Sequence, residues 1–482
     1  MLFNSYVFIL FFLPITFFVY FILTKQRLFT AAKAFLAGSS LFFYSWWSVA
    51  YLPLILISMI VNFSIGSILT ADDSGKKRHG IKSRKAMLIA GLAFNLGLIG
   101  YFKYADFFVT NVNAIAGTDI PALHVILPLA ISFYTFQQIA YLVDSYDRQT
   151  KEYDFLSYVI FVTFFPQLIA GPIIHHKEIM PQFASRWNMV KRYRNIAVGL
   201  FIFSVGLFKK VIIADSFAQW ATAGFDGAQT LTFFEGWATS LSYTFQIYFD
   251  FSGYTDMAIG AALLFNIRLP QNFNSPYKAT SIQDFWKRWH MTLSKFLRDY
   301  LYIPLGGNRY GLPRTCVNLF ATFILGGLWH GASWMFIIWG ALHGMALIVH
   351  RLWQVTKLRI PTFIAWFLTF NFINVTWVFF RATNMESAQK VLSAMLDIKT
   401  ISISENMFAA INGKMDEILI ATVLAFAITL FAKNNAQIES FLRHNAATLK
   451  ARCCYVAAGL MLAISLFMIG QIGKSEFLYF NF

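Results

Sequence analysis

The most pointed chemical group in the sequence is His330, in FILGGLWHGASWMFIIWG (residues 323–340). A neutral imidazole with a pKa near 6.5 can take a proton from a hydroxyl and return it to a leaving group, which acyl transfer requires. Gly326, Gly327 and Gly331 remove side-chain bulk around the ring, and Trp329, Trp334 and Trp339 would wall such a site with flat apolar surface. A buried histidine hydrogen-bonded to a backbone carbonyl is the competing reading.

A second histidine, His290, lies in FWKRWHMTLSKFLRDYLYIPLGGNR (residues 285–309). The spacing predicts an amphipathic helix with Phe285, Trp286, Trp289, Leu293 and Leu297 toward protein or lipid, and Lys287, Arg288, Lys295 and Arg298 as a basic set. Such a helix could lie in the membrane interface, receive the phosphates of an acyl donor such as a coenzyme A thioester, or do neither. Asp250 and Asp256, in FDFSGYTDMAIG, could orient a histidine, bind a cation or relay protons. They could equally cap a broken helix or pair with a buried cation. Tyr134, Gln137 and Gln138 suggest interhelical hydrogen bonding. His343, thirteen residues after His330 by position, would face another direction on an unbroken helix and reads as structural.

The elements that must position these groups follow from composition. The chain has 482 residues, 57% hydrophobic and only 13% charged, and apolar runs long enough to cross a hydrocarbon core recur along it. This is the pattern of an all-α polytopic integral membrane protein. Candidate spans are Tyr6 to Thr24, Ala34 to Trp47, Leu52 to Leu69, Ala86 to Tyr101, Val125 to Val143, Ile196 to Ile213, Trp237 to Phe265, Cys316 to Val349, Phe363 to Phe380, Ile418 to Ala432 and Tyr455 to Ile469. The long Cys316 stretch brings the expectation to eleven or twelve crossings. The run Tyr6 to Thr24 lacks a basic leader and a cleavage site, so it reads as a span.

The net charge of +16 is spread over short segments between spans, which encodes orientation rather than nucleic-acid binding. Lys25, Arg27 and Lys33, then Lys76, Lys77, Arg78, Lys82, Arg84 and Lys85, then Arg186, Lys191, Arg192 and Arg194, and finally Arg351, Lys357 and Arg359 mark one side. The stretches Asp106 to His124 and Ala214 to Gly236 contain acids and no Lys or Arg. This alternation places the N-terminal residues outside. Phe155 to Ile174 breaks the alternation, its flanks (Arg148 with Lys151, and Arg186 with Lys191) both reading as cytoplasmic. With Pro166, Gly171 and Pro172 interrupting it, a re-entrant segment is expected, two ordinary spans being the alternative. Residues 266–314 form a cytoplasmic interfacial segment in which Pro304, Gly306 and Gly307 predict a turn back to the membrane, and residues 382–417 form an external polar segment with a helix over Glu386 to Leu396.

Cys316, Cys453 and Cys454 have no metal-like spacing, and no metal site is expected. The G-x-S-x-G elbow, the P-loop, H-E-x-x-H and the dinucleotide fingerprint are all absent from the sequence. Covalent chemistry would then rest on the membrane histidines or on a partner.

The opening MLFNSYVFILFFLP, then FPQLIAGPI, FDFSGYTDMAIG with RLPQNFNSPY, the block SIQDFWKRWHMTLSKFLRDYLYIPLGGNR and GGLWHGASWMFIIWGALHG together resemble the membrane-bound O-acyltransferase family, of the bacterial alginate and peptidoglycan O-acetyltransferase type. The resemblance runs end to end, as one membrane-embedded domain over residues 1–482. It implies a helical fold around a central tunnel, His330 as the principal catalytic histidine and general base, and His290 as the second, on the donor side. It also implies an acyl donor such as acetyl-CoA or another thioester, no tightly bound cofactor, and acetylation of an envelope polysaccharide. A periplasmic or membrane-anchored esterase-like partner with a serine nucleophile would complete the transfer, and the location would be the bacterial inner membrane. Asp250, Asp256, Arg298, Asp299 and Asn308 fall within family blocks. Together with Trp286, Lys287, Arg288, Trp289, Trp329 and Trp334, all of these but Asp299 are donor- or tunnel-lining candidates. The family's GPI segment is commonly followed by charged residues, whereas here His175 and His176 precede Lys177. A proton-coupled transporter or flippase, using the same buried His and Asp residues, is the rival class.

Overall fold

Backbone polar groups in hydrocarbon must pair within their own segment, so apolar runs of this length fold as helices. The computed structural model describes residues 1–70, 81–150, 154–445, 448–472 and 476–481, and among these every regular element is a helix. In chain order they are α1 (Leu13–Lys25), α2 (Phe29–Ser45), α3 (Leu52–Thr70), α4 (Ile81–Ile99), α5 (Ala105–Ala116), α6 (Ile131–Tyr146), α7 (Phe155–Thr163), α8 (Phe165–Leu168), α9 (His176–Ala184), α10 (Tyr193–Phe208) and α11 (Asp215–Thr222). There follow α12 (Phe233–Leu264), α13 (Ile282–Trp286), α14 (Met291–Leu297), α15 (Gly311–His330), α16 (Trp334–Thr356), α17 (Thr362–Arg381), α18 (Met385–Leu396), α19 (Met415–Phe431), α20 (Asn435–His444) and α21 (Leu449–Ile472).

Among the described residues, eight helices are long and apolar enough to cross a membrane, or nine if the bent pair α19 and α20 is one span. The larger number read from sequence includes α2 and α6, of 17 and 16 residues, and the polar-studded α12. The chain is a multi-pass, all-α membrane protein. The acid-bearing stretch that starts at Asp106 is helical to Ala116, because α4 runs through a π-helical turn into α5. Lys76, Lys77, Arg78 and Lys151 lie outside the described residues.

Contacts gather the chain into two units, residues Met1–Ser204 with Tyr254–Pro270, and Val205–Gly253 with Gln271–Phe482. In the first, α3 and α4 are tied by the buried pair Asn62 and Asn95, whose amide groups exchange hydrogen bonds of 2.6 and 3.2 Å. Ser58 donates to Gln138 on α6 at 3.3 Å, the interhelical role expected for that polar patch. The segment over 155–174 contains α7, nine residues long and mostly buried, then a sharp change of direction at Phe164 and the four-residue α8. Nine residues rise only about 14 Å, less than half the hydrocarbon thickness, so α7 by itself is too short to cross. Asp154 caps it by accepting from Ser157 N at 3.0 Å.

In the second unit the long Cys316 stretch resolves into a tight hairpin of α15 and α16. A Cβ on Gly327 would lie 2.3 Å from the Phe336 carbonyl, and one on Gly340 the same distance from that of Phe323. Glycine at both positions is what lets the two backbones touch. The helix expected in the polar segment 382–417 appears as α18, one residue longer than read from sequence and capped by Asn384. Gly306 and Gly307 have φ of 109° and 57°, conformations that glycine adopts without strain, and they make the turn that leads into α15.

Candidate active site

His330 is the last residue of α15. Gly331 follows in extended conformation, and Ser333 caps α16 by accepting from Met335 N at 3.2 Å. The three-residue interruption places a buried imidazole at the bend of the hairpin. Its ring lies 4.9 Å from Trp329, 5.2 Å from Trp339, 5.1 Å from Phe380 and 5.7 Å from Tyr479, centroid to centroid.

His290 is not inside an amphipathic helix. The block expected as one helix breaks into α13 and α14, and His290 stands between them, fully buried, at φ 42°. The break has a long-range cause. Asn274 N donates to Arg288 O at 2.9 Å and Met291 N donates to Asn272 O at 3.0 Å, so residues 272–274 pair with the backbone where the helix would have continued.

Asn272 also fixes the imidazole. Its Oδ1 accepts from Thr292 N at 3.2 Å and from Thr292 Oγ1 at 2.6 Å, and it lies 3.3 Å from His290 Nδ1. A backbone N–H can only donate, so the atom facing it is the carbonyl oxygen, and Nδ1 must carry the ring proton. The lone pair then sits on Nε2, which is buried with no hydrogen-bond partner among the described residues. Burial pushes the His290 pKa down to about 3. The ring is a neutral base with its free valence held open.

The two histidines share neighbours. Trp329 lies 6.2 Å from His290 and Tyr479 lies 6.4 Å from it, and both rings also flank His330. Phe251 packs edge-on to His290 at 4.8 Å. Two imidazoles in one aromatic, buried cluster can accept and return protons where bulk water would otherwise hydrolyse a reactive ester.

The other candidates divide. Trp289 is buried among Phe285, Phe273 and Trp377. Trp286 donates from Nε1 to His343 Nδ1 at 3.2 Å, while His343 Nε2 lies 3.1 Å from Thr376 Oγ1. Both nitrogens of His343 are therefore engaged, which gives it the structural role expected, although α15 and α16 are separate helices rather than one. Lys287 is exposed, Arg288 pairs with Asp284 at 2.9 Å, and exposed Arg298 pairs with Asp299 at 2.7 Å. Asn308 lines a polar cavity of about 170 Å³ with Tyr302, His350, Arg351 and Gln354. Trp334 is 57% exposed and does not wall His330 as its sequence position suggested. Phe336 takes that place, 6.4 Å from the ring. Asp256 is buried in the first unit. Asp250 meets Lys210 Nζ at 2.6 Å, the buried-pair alternative.

Sequence reading missed Lys210, Asn272, Phe380 and Tyr479. Lys210 was findable, because it is a cation inside the apolar run Ile196 to Ile213, the kind of residue that asks for a partner. Tyr479 gave no such signal, being one aromatic in a chain with 21 Tyr and 54 Phe.

A model of the membrane-bound O-acyltransferase family matches residues 143–389, a stretch that includes both histidines. A peptidoglycan O-acetyltransferase of Helicobacter pylori is 48% identical, with 100% of this chain and 98% of that one aligned. A probable alginate O-acetylase of Pseudomonas aeruginosa is 40% identical over 89% of this chain and 81% of its own. A teichoic acid D-alanyltransferase of Bacillus subtilis is 26% identical over 52% of this chain and 68% of its own. With a family match across half its length and a relative aligned to all of it, this chain belongs to the membrane-bound O-acyltransferase family and is an acyltransferase.

Proposed function

We propose that the protein O-acetylates a cell-envelope polysaccharide, moving acetyl from a cytoplasmic thioester such as acetyl-CoA across the inner membrane to an extracytoplasmic acceptor. Peptidoglycan is the polymer that the 48% identical relative favours, with an alginate-like exopolysaccharide second. The observation that carries the reading is the shared cluster of His290 and His330. It offers two buried imidazoles around common aromatic walls, one with its tautomer set by Asn272.

In this reading His330 takes the proton of the attacking hydroxyl as its oxygen adds to the thioester carbonyl. The carbon–sulfur bond then breaks, and the proton passes to the departing thiolate, leaving an ester, a thiol and a neutral histidine. Neutral His290 holds the reacting group through the lone pair of Nε2. Lys287, Arg288 and Arg298 supply cations for an anionic donor, and a central tunnel connects the donor side to the acceptor side. A periplasmic or membrane-anchored esterase-like transferase passes the acetyl group to the polymer. The family match contains residues of both units, which supports one catalytic domain over the whole chain. Membership in an acyltransferase family removes the reason for a transporter.

Proteoliposomes loaded with labelled acetyl-CoA, with soluble peptidoglycan fragments or alginate outside, test the reading. Base-labile acetate on the glycan, after the partner transferase is added and without net export of donor, is the expected result. Donor flux without ester formation would refute it.

A further inference from the structure

Lys210 projects from a π-helical turn, Lys209–Ala214, that joins α10 to α11 inside an apolar span. Such turns re-aim side chains and recur at functional sites. Around its ammonium stand three oxygens: Asp250 Oδ1 at 2.6 Å, Asp215 Oδ1 at 2.9 Å and the Glu476 carbonyl at 2.9 Å. The other carboxylate oxygen of Asp250 accepts from Leu478 N at 3.0 Å. All three charged side chains are buried. Gly253 makes the arrangement possible, since a Cβ there would lie 3.1 Å from Lys210 N and 2.7 Å from Gly206 O.

The cluster is therefore completed by backbone from residues 476–478. An ammonium has three donors, and one of the acceptors facing it is contributed by the segment that follows α21. One residue further on, Tyr479 lies 5.7 Å from His330 and 6.4 Å from His290, and packs at a tilt 4.3 Å from Phe251, centroid to centroid. A charge cluster and a reaction-centre wall are thus joined by three residues of backbone.

We propose that Lys210 and Asp250, supported by Asp215, form a buried latch that seats the 476–481 segment so that Tyr479 closes one wall of the histidine cluster. They are positioning residues acting through Tyr479. The catalytic significance rests on the reading of that cluster as the reaction centre. The latch itself does not.

The test uses the full chain in membrane vesicles, with native cysteines replaced. The thiol of Tyr479→Cys should react slowly with a maleimide, and at least tenfold faster once Lys210→Met or Asp250→Asn is added. The thiol of Trp377→Cys, at a buried position of α17, should stay protected in the same backgrounds. Acetyl transfer should fall to a similar low level in Lys210→Met, in a deletion of residues 476–482, and in the two combined. Continued protection of Tyr479→Cys, or losses that multiply in the combination, would overturn the latch. If Lys210→Met also exposes Trp377→Cys, the charge-exchanged pair Lys210→Asp with Asp250→Lys decides, since only a latch is restored by it. The labelling result stands even if no acetyl transfer is detected, so the latch and the reaction can fail separately.

Discussion

Replacing Asn272 tests whether His290 works as a neutral base of fixed tautomer. Asn272→Leu has similar volume but removes the acceptor for the Thr292 hydroxyl, at 2.6 Å, for Thr292 N, at 3.2 Å, and for His290 Nδ1, at 3.3 Å. Two buried N–H donors left without partners cost about 1–3 kcal/mol each, so stability should fall by about 2–6 kcal/mol. The tautomer is held by one hydrogen bond worth about 1–1.5 kcal/mol net, and its loss should lower the turnover rate about five- to tenfold with KM little changed. Asn272→Asp keeps the acceptor and adds a negative charge beside the ring. It should raise the His290 pKa from about 3, so the acidic limb of the rate profile moves to higher pH by at least about one unit. The assay is acetyl transfer in proteoliposomes between about pH 2.5 and 8, a range that contains the acidic limb set by His290 in both proteins. An Asn272→Leu protein that keeps wild-type turnover, or an Asn272→Asp profile superimposable on wild type, would refute the reasoning.

Other positions make independent demands. Gly327→Ala places a methyl 2.3 Å from the Phe336 carbonyl, and forcing the hairpin apart should cost about 1–3 kcal/mol and lower the unfolding temperature. Trp334→Ala, at an exposed position, should leave transfer unchanged. His343→Ala strands the Trp286 indole N–H and should lower thermal stability more than turnover. Because folding depresses the His290 pKa, the unfolded chain binds its proton below about pH 6.5 while the native protein does not until about 3. His290 therefore contributes stability above that range that is lost as pH falls, at most about 1.4 kcal/mol per unit, measurable as a declining unfolding temperature that His290→Phe flattens.

Local pattern carried the reading where local forces decide. The glycines and tryptophans beside His330, the prolines and glycine of the 155–174 segment, and the amphipathic stretch that became α18 all report their own neighbourhoods. His290 shows where that ends. Residues 285–298 have helical periodicity, yet backbone pairing with residues 272–274 breaks the helix at His290, and the periodicity of the block itself gives no sign of that pairing. Asp250 is similar, since its carboxylate signalled a partner but not that Lys210, forty positions earlier, would be it. Tyr479 reaches the histidines from the segment after α21, whose backbone meets Lys210 and Asp250, and nothing local to Tyr479 signals either contact. Trp334 failed for a simpler reason. A helix that starts at Trp334 turns successive side chains by 100°, so Trp339 faces the histidine while Trp334 faces away from the core.

The central claim is that His290 and His330 belong to one reaction centre, and the most direct measurement is a double-mutant cycle on the rate of acetyl transfer. His330→Ala and His290→Ala should each reduce the rate by about 10²–10⁴-fold with normal membrane insertion. The double variant should be no worse than the weaker single by more than about tenfold, as expected of groups that act as a unit. Full activity in His330→Ala, or losses that multiply in the double variant, would contradict the account.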